Sequence, residues 1–195
     1  LAARLGLVRQ WLHAVELSRR AVEEGAGLVA ACGGDGTLNE VVWGLIDSGR
    51  SREVPLAVIP SGTGGDFRKT LGLGPGFDDA LRCLREGVVR PVDAGMLRFE
   101  DDAGRTVLRP FANIASFGIS GLVDHYVNTS TKRLGGKASF FIGSVRGLLA
   151  WRNVRMRVVV DGVPFHEGLT NLVTMANGRF FGGGMQMAPQ ADLGD

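Results

Sequence analysis

The first half of the chain alternates short apolar runs with segments whose apolar side chains recur at helical spacing. Leu28–Cys32 and Pro55–Ile59 are apolar runs of strand length, and each leads into a glycine-rich turn. Helical spacing marks three segments, residues 12–25, 38–46 and 77–86. The order strand, turn, helix occurs twice, so the pattern predicts an α/β fold with parallel neighbouring strands. A further strand is predicted at Val88–Val92, leading to Asp93.

The second half has a different pattern, in which short strands alternate with polar turns. Predicted strands and hairpin arms occupy Met96–Phe99, Thr106–Ile114, Val154–Val160, Val163–His166 and Leu169–Met175. Two further segments have helical patterns, Leu122–Val127 and Ala138–Trp151. This half therefore predicts a mainly antiparallel sandwich with one or two inserted helices.

A glycine turn follows the first predicted strand. Gly33, Gly34 and Gly36 stand within four residues, and the helical pattern begins directly after them. Thr37 with Glu40 three residues later has capping-box spacing, which predicts that the helix begins at Thr37. Glycines let backbone N–H groups approach an anion closely, and a helix N-terminus adds partial positive charge. The turn is therefore a candidate phosphate loop, although an ordinary strand-to-helix turn has the same pattern.

Asp35 is the unusual member of this turn, because a carboxylate facing phosphates repels them. Its presence is explained if it acts through Mg²⁺, bound directly or through water. It is also explained if the carboxylate orients the loop.

The second predicted strand leads into a similar turn, Ser61-Gly62-Thr63-Gly64-Gly65-Asp66. Thr63 and Asp66 have spacing like that of a capping box, so a second helix is predicted to begin here. Parallel neighbouring strands would bring both glycine turns to the carboxyl edge of one sheet, where open α/β folds bind ligands. Arg68 and Lys69 follow, and they could reach phosphates or form a solvated helix face.

Composition narrows the class of protein. The 195 residues are 45% hydrophobic and 22% charged, which is typical of a globular protein. The net charge of +2 implies no general attraction to nucleic acid. Cys32 and Cys83 fall in a predicted strand and a predicted helix, which favours reduced, buried thiols in a cytoplasmic protein. No apolar run approaches the length of a membrane span.

Three stretches resemble one family. Gly33–Val41 resembles the nucleotide loop of the diacylglycerol kinase catalytic family, which includes bacterial lipid kinases and sphingosine kinases. The Gly-Gly-Asp-Gly-Thr core is also similar to that of NAD kinases. Pro60–Phe67 resembles the family's second loop, usually Gly-Thr-x-Asn-Asp-Phe, with Gly65 at the asparagine position. Asn177–Met185, followed by Ala188-Pro189, resembles a segment of the second domain.

The resemblance implies an architecture similar to that of NAD kinases and diacylglycerol kinases. Residues 1–93 would form a three-layer α/β nucleotide-binding domain, and residues 94–195 a mainly antiparallel β-sandwich domain on the lipid side of the cleft. Both domains are expected to be truncated, the first at its start and the second at its end. The family's general base is then expected beyond residue 195.

By this resemblance the protein is expected to be a lipid kinase that transfers the γ-phosphate of MgATP to a lipid hydroxyl, most simply that of a diacylglycerol-like lipid. Asp35 is the expected catalytic residue. The expected nucleotide-binding residues are Gly33, Gly34, Asp35, Gly36, Thr37, Asn39, Glu40, Gly62, Thr63, Gly64 and Asp66. Asp195 is expected to give a carboxylate, and Asp192 a carbonyl, to a structural cation.

The expected partners are ATP, Mg²⁺ and a lipid substrate reached at the inner face of the membrane, with no nucleic acid. A homodimer is left open. Two alternatives also stay open, an NAD kinase-like enzyme that shares the short core motif and a nucleotide-binding or regulatory module without catalysis.

Overall fold

The structure is a computed structural model, which describes residues 4–62, 64–129 and 136–195. It divides into two compact units. The first comprises Leu1–Ile114 together with Ala176–Asp195, and the second comprises Ala115–Met175. The predicted domain boundary near Asp93 stays a prediction, because packing units and family domains are different divisions of a chain.

The first unit begins with the predicted alternation of helices and strands and continues with strand pairs. Its helices are α1 (His13–Glu23), α2 (Asp35–Asp47), α3 (Asp66–Thr70) and α4 (Phe77–Glu86). Its strands are β1 (Val29–Gly33), β2 (Leu56–Pro60), β3 (Gly95–Glu100), β4 (Thr106–Phe111), β9 (Phe180–Phe181) and β10 (Met185–Gln186). The pairs β3/β4 and β9/β10 are antiparallel.

Strands β1 and β2 pair in parallel, as the sequence predicts, in a register that sets Gly33 opposite Pro60. Both strands therefore end at one edge of the sheet, and each continues into a glycine turn and a helix. Beside the strands lies one core cluster, formed by Ala14, Val22, Ala31, Leu38, Val41, Leu45, Val54, Phe67, Ala112 and Leu193. The core thus joins α1, α2, β1 and α3 with the last residues of the chain. Cys32 and Cys83 are exposed and lie outside this core, so the predicted burial of both thiols is wrong.

Helix α2 begins at Asp35, so the predicted start at Thr37 is wrong. Gly34 is the N-cap in an extended conformation, and no side chain caps the helix. A Cβ atom on Gly33 would lie 2.7 Å from Thr37 Oγ1, so the threonine side chain packs over that glycine. Glu40 is also used elsewhere, because its carboxylate accepts a hydrogen bond from Ala14 N at 3.1 Å. The capping-box spacing is therefore present without the capping hydrogen bonds.

The predicted strand at Val88–Val92 is wrong, because no strand forms there. Val88 is 90% exposed and Val89 is 72% exposed, and no strand in the described part of the chain pairs with this segment. Valine-rich sequence favours a strand only where a neighbour supplies the ladder. Asp93 instead donates its backbone N–H to Leu193 O at 2.7 Å, which joins this connector to the last residues of the chain.

The second unit contains the two inserted helices that the sequence predicts. They are α5 (Ile119–Thr129) and α6 (Gly136–Ala150), and they pack against each other. The strands of this unit are β5 (Ile114–Gly118), β6 (Val154–Val160), β7 (Val163–Thr170) and β8 (Leu172–Ala176). The antiparallel hairpin β6/β7 turns at Asp161 and Gly162, both at positive φ, as in a tight hairpin turn. No helix in the described part of the chain has the length and apolar character to span a bilayer.

Helices α1 and α2 approach each other closely at Gly44 of α2, which faces Ser18 of α1. A Cβ atom on Gly44 would lie 2.0 Å from Ser18 Oγ and 2.2 Å from Val15 O. Ser18 is buried and donates its hydroxyl to Ala14 O at 2.8 Å, so it has little room to move. Only glycine fits this crossing without a shift of the backbone.

We predict that Gly44→Ala lowers the free energy of unfolding by about 1–3 kcal/mol, because overpacking exceeds the gain in helix propensity. Denaturant unfolding measures the change. Gly36→Ala is the matched control, since it lies on the same helix and its Cβ would meet nothing within 4 Å. Stabilisation by both alanine substitutions would contradict the close helix crossing.

Candidate functional site

Two glycine turns meet at the carboxyl edge of the parallel strand pair. The first joins β1 to α2, and the second joins β2 to α3. Ser61 donates its backbone N–H to Gly33 O at 3.1 Å, which continues the strand pairing into the turns. A Cβ atom on Gly62 would lie 2.4 Å from Gly34 Cα, so the two backbones touch where neither residue has a side chain. The predicted convergence of the two turns is confirmed.

Asp35 links the two turns through its carboxylate. One oxygen accepts the backbone N–H of Asp66 at 3.1 Å, and the other accepts that of Phe67 at 3.0 Å. These N–H groups belong to the first turn of α3, so Asp35 caps a helix from another loop. The alternative in which Asp35 orients the loop thus has direct geometric support. Each carboxylate oxygen retains a further lone pair for another partner.

Asp66 is buried, with 5% of its surface exposed, and its charge is compensated. Its Oδ1 accepts from Lys69 Nζ at 3.0 Å, and its Oδ2 accepts from Gly183 N at 2.8 Å. A buried carboxylate is tolerated when it is paired and hydrogen-bonded in this way. The side chain therefore holds the second turn to the glycine-rich segment near residue 183 rather than facing open solvent.

The segment Asn177–Gly184 forms a strap along α3. Arg179 N donates to Thr70 Oγ1 at 3.0 Å at one end of that helix, and Gly183 N reaches Asp66 at the other. The residues at 182, 183 and 184 all have positive φ, between 65° and 116°, where glycine is favoured. The family resemblance of this segment predicts no structural role for it. Its run of three glycines was the available signal.

Asn177 anchors the start of the strap. Its side-chain amide donates to Asp93 O at 2.6 Å and to Ala112 O at 2.7 Å. Asn113 contributes as well, since its carbonyl oxygen accepts from the backbone N–H groups of Asn177 and Gly178, both at 2.9 Å. The strap therefore has fixed contacts at its beginning, at α3 and at the second turn.

Asn39 and Glu40 make their contacts away from the glycine turns. The Asn39 side chain donates to Pro110 O at 3.2 Å and accepts from Ala112 N at 3.0 Å, so it holds the end of β4. Glu40 accepts from Ala14 N at the start of α1. Both residues support the position of α2, and direct contact with a nucleotide stays a prediction for them.

The remaining predicted nucleotide-binding residues, apart from Thr63, lie around the contact of the two turns. Gly33, Gly34 and Gly36 form the first turn and the start of α2, where no side-chain cap occupies the first N–H groups. Gly64 is next to Asp35, since its Cβ would lie 3.2 Å from Asp35 Oδ2. Thr63 lies outside the described residues. An uncapped start of a helix of 13 residues is suited to bind phosphate oxygens.

The predicted cation loop is held by protein contacts. Arg179 Nε donates to Ala191 O at 2.8 Å, and Gly194 N donates to Asp192 Oδ1 at 3.1 Å. The described residues contain no group of three or more His, Cys, Asp or Glu side chains placed to hold a metal. Asp192 and Asp195 are exposed, and oxygen donors are what Mg²⁺ and Ca²⁺ prefer. A cation at these two residues stays a prediction.

Two family models match the chain. Residues 3–97 match the diacylglycerol kinase catalytic domain, and residues 113–195 match the YegS C-terminal NAD kinase beta sandwich-like domain. A protein of Chromohalobacter salexigens named "Probable lipid kinase YegS-like" is 35% identical over 93% of this chain and 55% of its own length. The Diacylglycerol kinase of Bacillus subtilis is 33% identical over 86% of this chain and 52% of its own length.

A solved structure has a similar fold. The crystal structure of a diacylglycerol kinase from Bacillus anthracis matches 96% of this chain and 57% of that chain, with a TM-score of 0.66 and 24% identity. The chain thus spans about half the length of the curated relatives it matches. The two domain matches follow one another and together cover most of the sequence. Over these two successive segments the chain is therefore similar to lipid kinases of the diacylglycerol kinase catalytic family.

Proposed function

We propose that the protein is an ATP-dependent lipid kinase that transfers the γ-phosphate of MgATP to the hydroxyl of a diacylglycerol-like lipid. The observation that carries this proposal is the contact of two glycine turns at one sheet edge, with Asp35 joined to both. Relatives named diacylglycerol kinase and lipid kinase support a lipid acceptor. The acceptor lies in a bilayer, so we also infer peripheral association with the inner face of the membrane. A homodimer stays a prediction.

In this proposal the nucleotide phosphates bind over residues 33–37 and beside residues 62–64. The backbone N–H groups at the start of α2 donate to phosphate oxygens, and the short glycine backbones permit close approach. Mg²⁺, when bound with the nucleotide, neutralises part of the phosphate charge. Phosphoryl transfer depends mainly on positioning and electrostatic stabilisation, and the rigid contact of Gly34 with Gly62 supports both.

Asp35 has two tasks in this proposal. It fixes the distance between the turns by capping α3, and its remaining lone pairs are available to organise Mg²⁺ directly or through water. The same carboxylate would therefore both cap α3 and organise Mg²⁺. Loss of the negative charge would therefore affect both the loop geometry and the reaction.

A second candidate function is a nucleotide-binding module without catalysis. One observation favours it, namely that both oxygens of Asp35 already accept backbone hydrogen bonds. Such a module would bind ATP and leave every acceptor unlabelled. An NAD kinase-like activity is the further alternative, and NAD as acceptor distinguishes it.

We predict that the natural full-length protein transfers label from γ-labelled MgATP to a lipid hydroxyl. The acceptors are diacylglycerol, sphingosine and phosphatidylglycerol in mixed micelles, with NAD tested in parallel. A labelled lipid identifies the substrate and supports the kinase. Label on NAD alone would contradict the lipid assignment, and ATP binding without any labelled product would favour the non-catalytic module.

We predict that Asp35→Asn lowers the rate of transfer by about a hundredfold or more while the protein stays folded. The amide keeps one acceptor oxygen but turns a donor toward the second N–H group, so the stability falls by about 1–2 kcal/mol. Initial rates and denaturant unfolding measure the two effects. Asp47→Asn is the control, because Asp47 is exposed at the far end of the same helix. Near-normal turnover of Asp35→Asn would remove Asp35 from the mechanism.

We infer that Asp195, with the carbonyl of Asp192, binds a divalent cation that stabilises the last loop of the chain. Millimolar Mg²⁺ or Ca²⁺ should then raise the unfolding temperature by a few degrees, because a ligand that binds the folded state stabilises it. Asp195→Asn should abolish this rise, and Asp102→Asn in the exposed turn after β3 should leave it unchanged. Equal rises in both variants would exclude a cation at this loop.

A further inference from the structure

Two neighbouring cations on α3 have different partners. Lys69 forms an ion pair with the buried Asp66 at 3.0 Å, so its charge is compensated within the protein. Arg68 forms no ion pair with any carboxylate in the described parts of the chain. Arg68 is also half-buried, so its guanidinium is partly removed from water without an acidic partner. A half-buried cation of this kind is suited to an anionic ligand.

The Arg68 side chain is held in place over Gly65. Its Nη1 donates to Leu73 O at 2.5 Å, which fixes one edge of the guanidinium. A Cβ atom on Gly65 would lie 3.0 Å from Arg68 Nε and 3.6 Å from Nη2. Gly65 has a φ of 60°, in the left-handed region. The missing side chain at residue 65 therefore provides the space that the guanidinium occupies.

This guanidinium faces the first glycine turn. A pocket at the sheet edge is lined by Gly33, Gly34, Asp35, Leu38, Gly65 and Arg68, among other residues. The α3 N–H groups at this position already donate to Asp35 and are not available to a ligand. Of the residues that line this pocket, Arg68 alone has a cationic side chain. It belongs to α3, whereas the N–H groups proposed to bind phosphate lie at the start of α2.

We propose that Arg68 binds a phosphate oxygen of the nucleotide lying over residues 33–37, and that Gly65 is glycine so that Arg68 can fold into this position. The inference rests on the proposed function, which supplies the nucleotide as the source of phosphate. Arg68 would add a charge-assisted contact from α3 to those made by the N–H groups at the start of α2.

The test is the dissociation constant of a non-hydrolysable ATP analogue with Mg²⁺, measured by calorimetry on the natural full-length protein without lipid. Arg68→Ala should weaken binding about tenfold or more, because a hydrogen bond to a charged group is lost. Arg68→Lys should retain part of the affinity through its charge. Arg85→Ala is the matched control, since Arg85 is an exposed arginine on α4 that forms no ion pair in the described residues. Omitting lipid ensures that the phosphate comes from the nucleotide.

Gly65→Asn provides a second variant that leaves Arg68 in the sequence. Asparagine tolerates a left-handed backbone, and its side chain would enter the space of the guanidinium. This variant should weaken analogue binding by about as much as Arg68→Ala. The double variant should show no further loss, because both changes remove the same contact.

Each outcome distinguishes this inference from the proposed function. Folded Arg68→Ala protein that binds the analogue as tightly as the unmodified protein would overturn the role of Arg68 and leave the nucleotide site intact. Fully additive losses in the double variant would overturn the role of Gly65. Absence of analogue binding by the unmodified protein would overturn the proposed function and this inference with it.

Discussion

The site depends on a contact between two backbones. A Cβ atom on Gly62 would lie 2.4 Å from Gly34 Cα, and one on Gly34 would lie 3.4 Å from Gly62 Cα. The contact is possible because β1 and β2 are parallel and end in register. Any side chain at residue 62 would separate the turns, and the hydrogen bonds between Asp35 and α3 would then lengthen. The absence of side chains at Gly34 and Gly62 thus permits the geometry of both turns.

The polar interactions around this contact form one connected system. Asp35 holds the N-terminus of α3, Asp66 at that terminus binds Lys69 and the strap, and the strap returns to Asn113. Breaking one of these buried hydrogen bonds leaves its partner unsatisfied, so the network keeps the loops in fixed positions. Phosphoryl transfer needs little covalent chemistry from the protein and depends on fixed positions. A rigid frame of this kind is therefore compatible with the proposed reaction.

Local pattern was sufficient to predict much of this structure. The apolar runs and glycine turns predict β1, β2 and their convergence. They do so because each succession of strand, turn and helix is encoded within a short stretch of residues. The pattern failed where a distant residue decides the outcome. Helix α3 is capped by Asp35 from another loop, and Glu40 bonds to Ala14 rather than closing a capping box. The valines at 88–92 fit a strand but have no neighbouring strand in the described structure, which no short window of sequence can reveal.

The strap has a consequence for how the protein is made. Gly183 and Asp66, which it joins, are 117 residues apart in the chain. At ordinary rates of translation, on the order of ten seconds separate the synthesis of the second glycine turn from the synthesis of its backbone donor. During that interval Asp66 has only Lys69 as a partner, and the strand-forming sequence around it has already left the ribosome. The second glycine turn of the nascent chain therefore gains this contact from the carboxyl-terminal side, after the second unit has been translated.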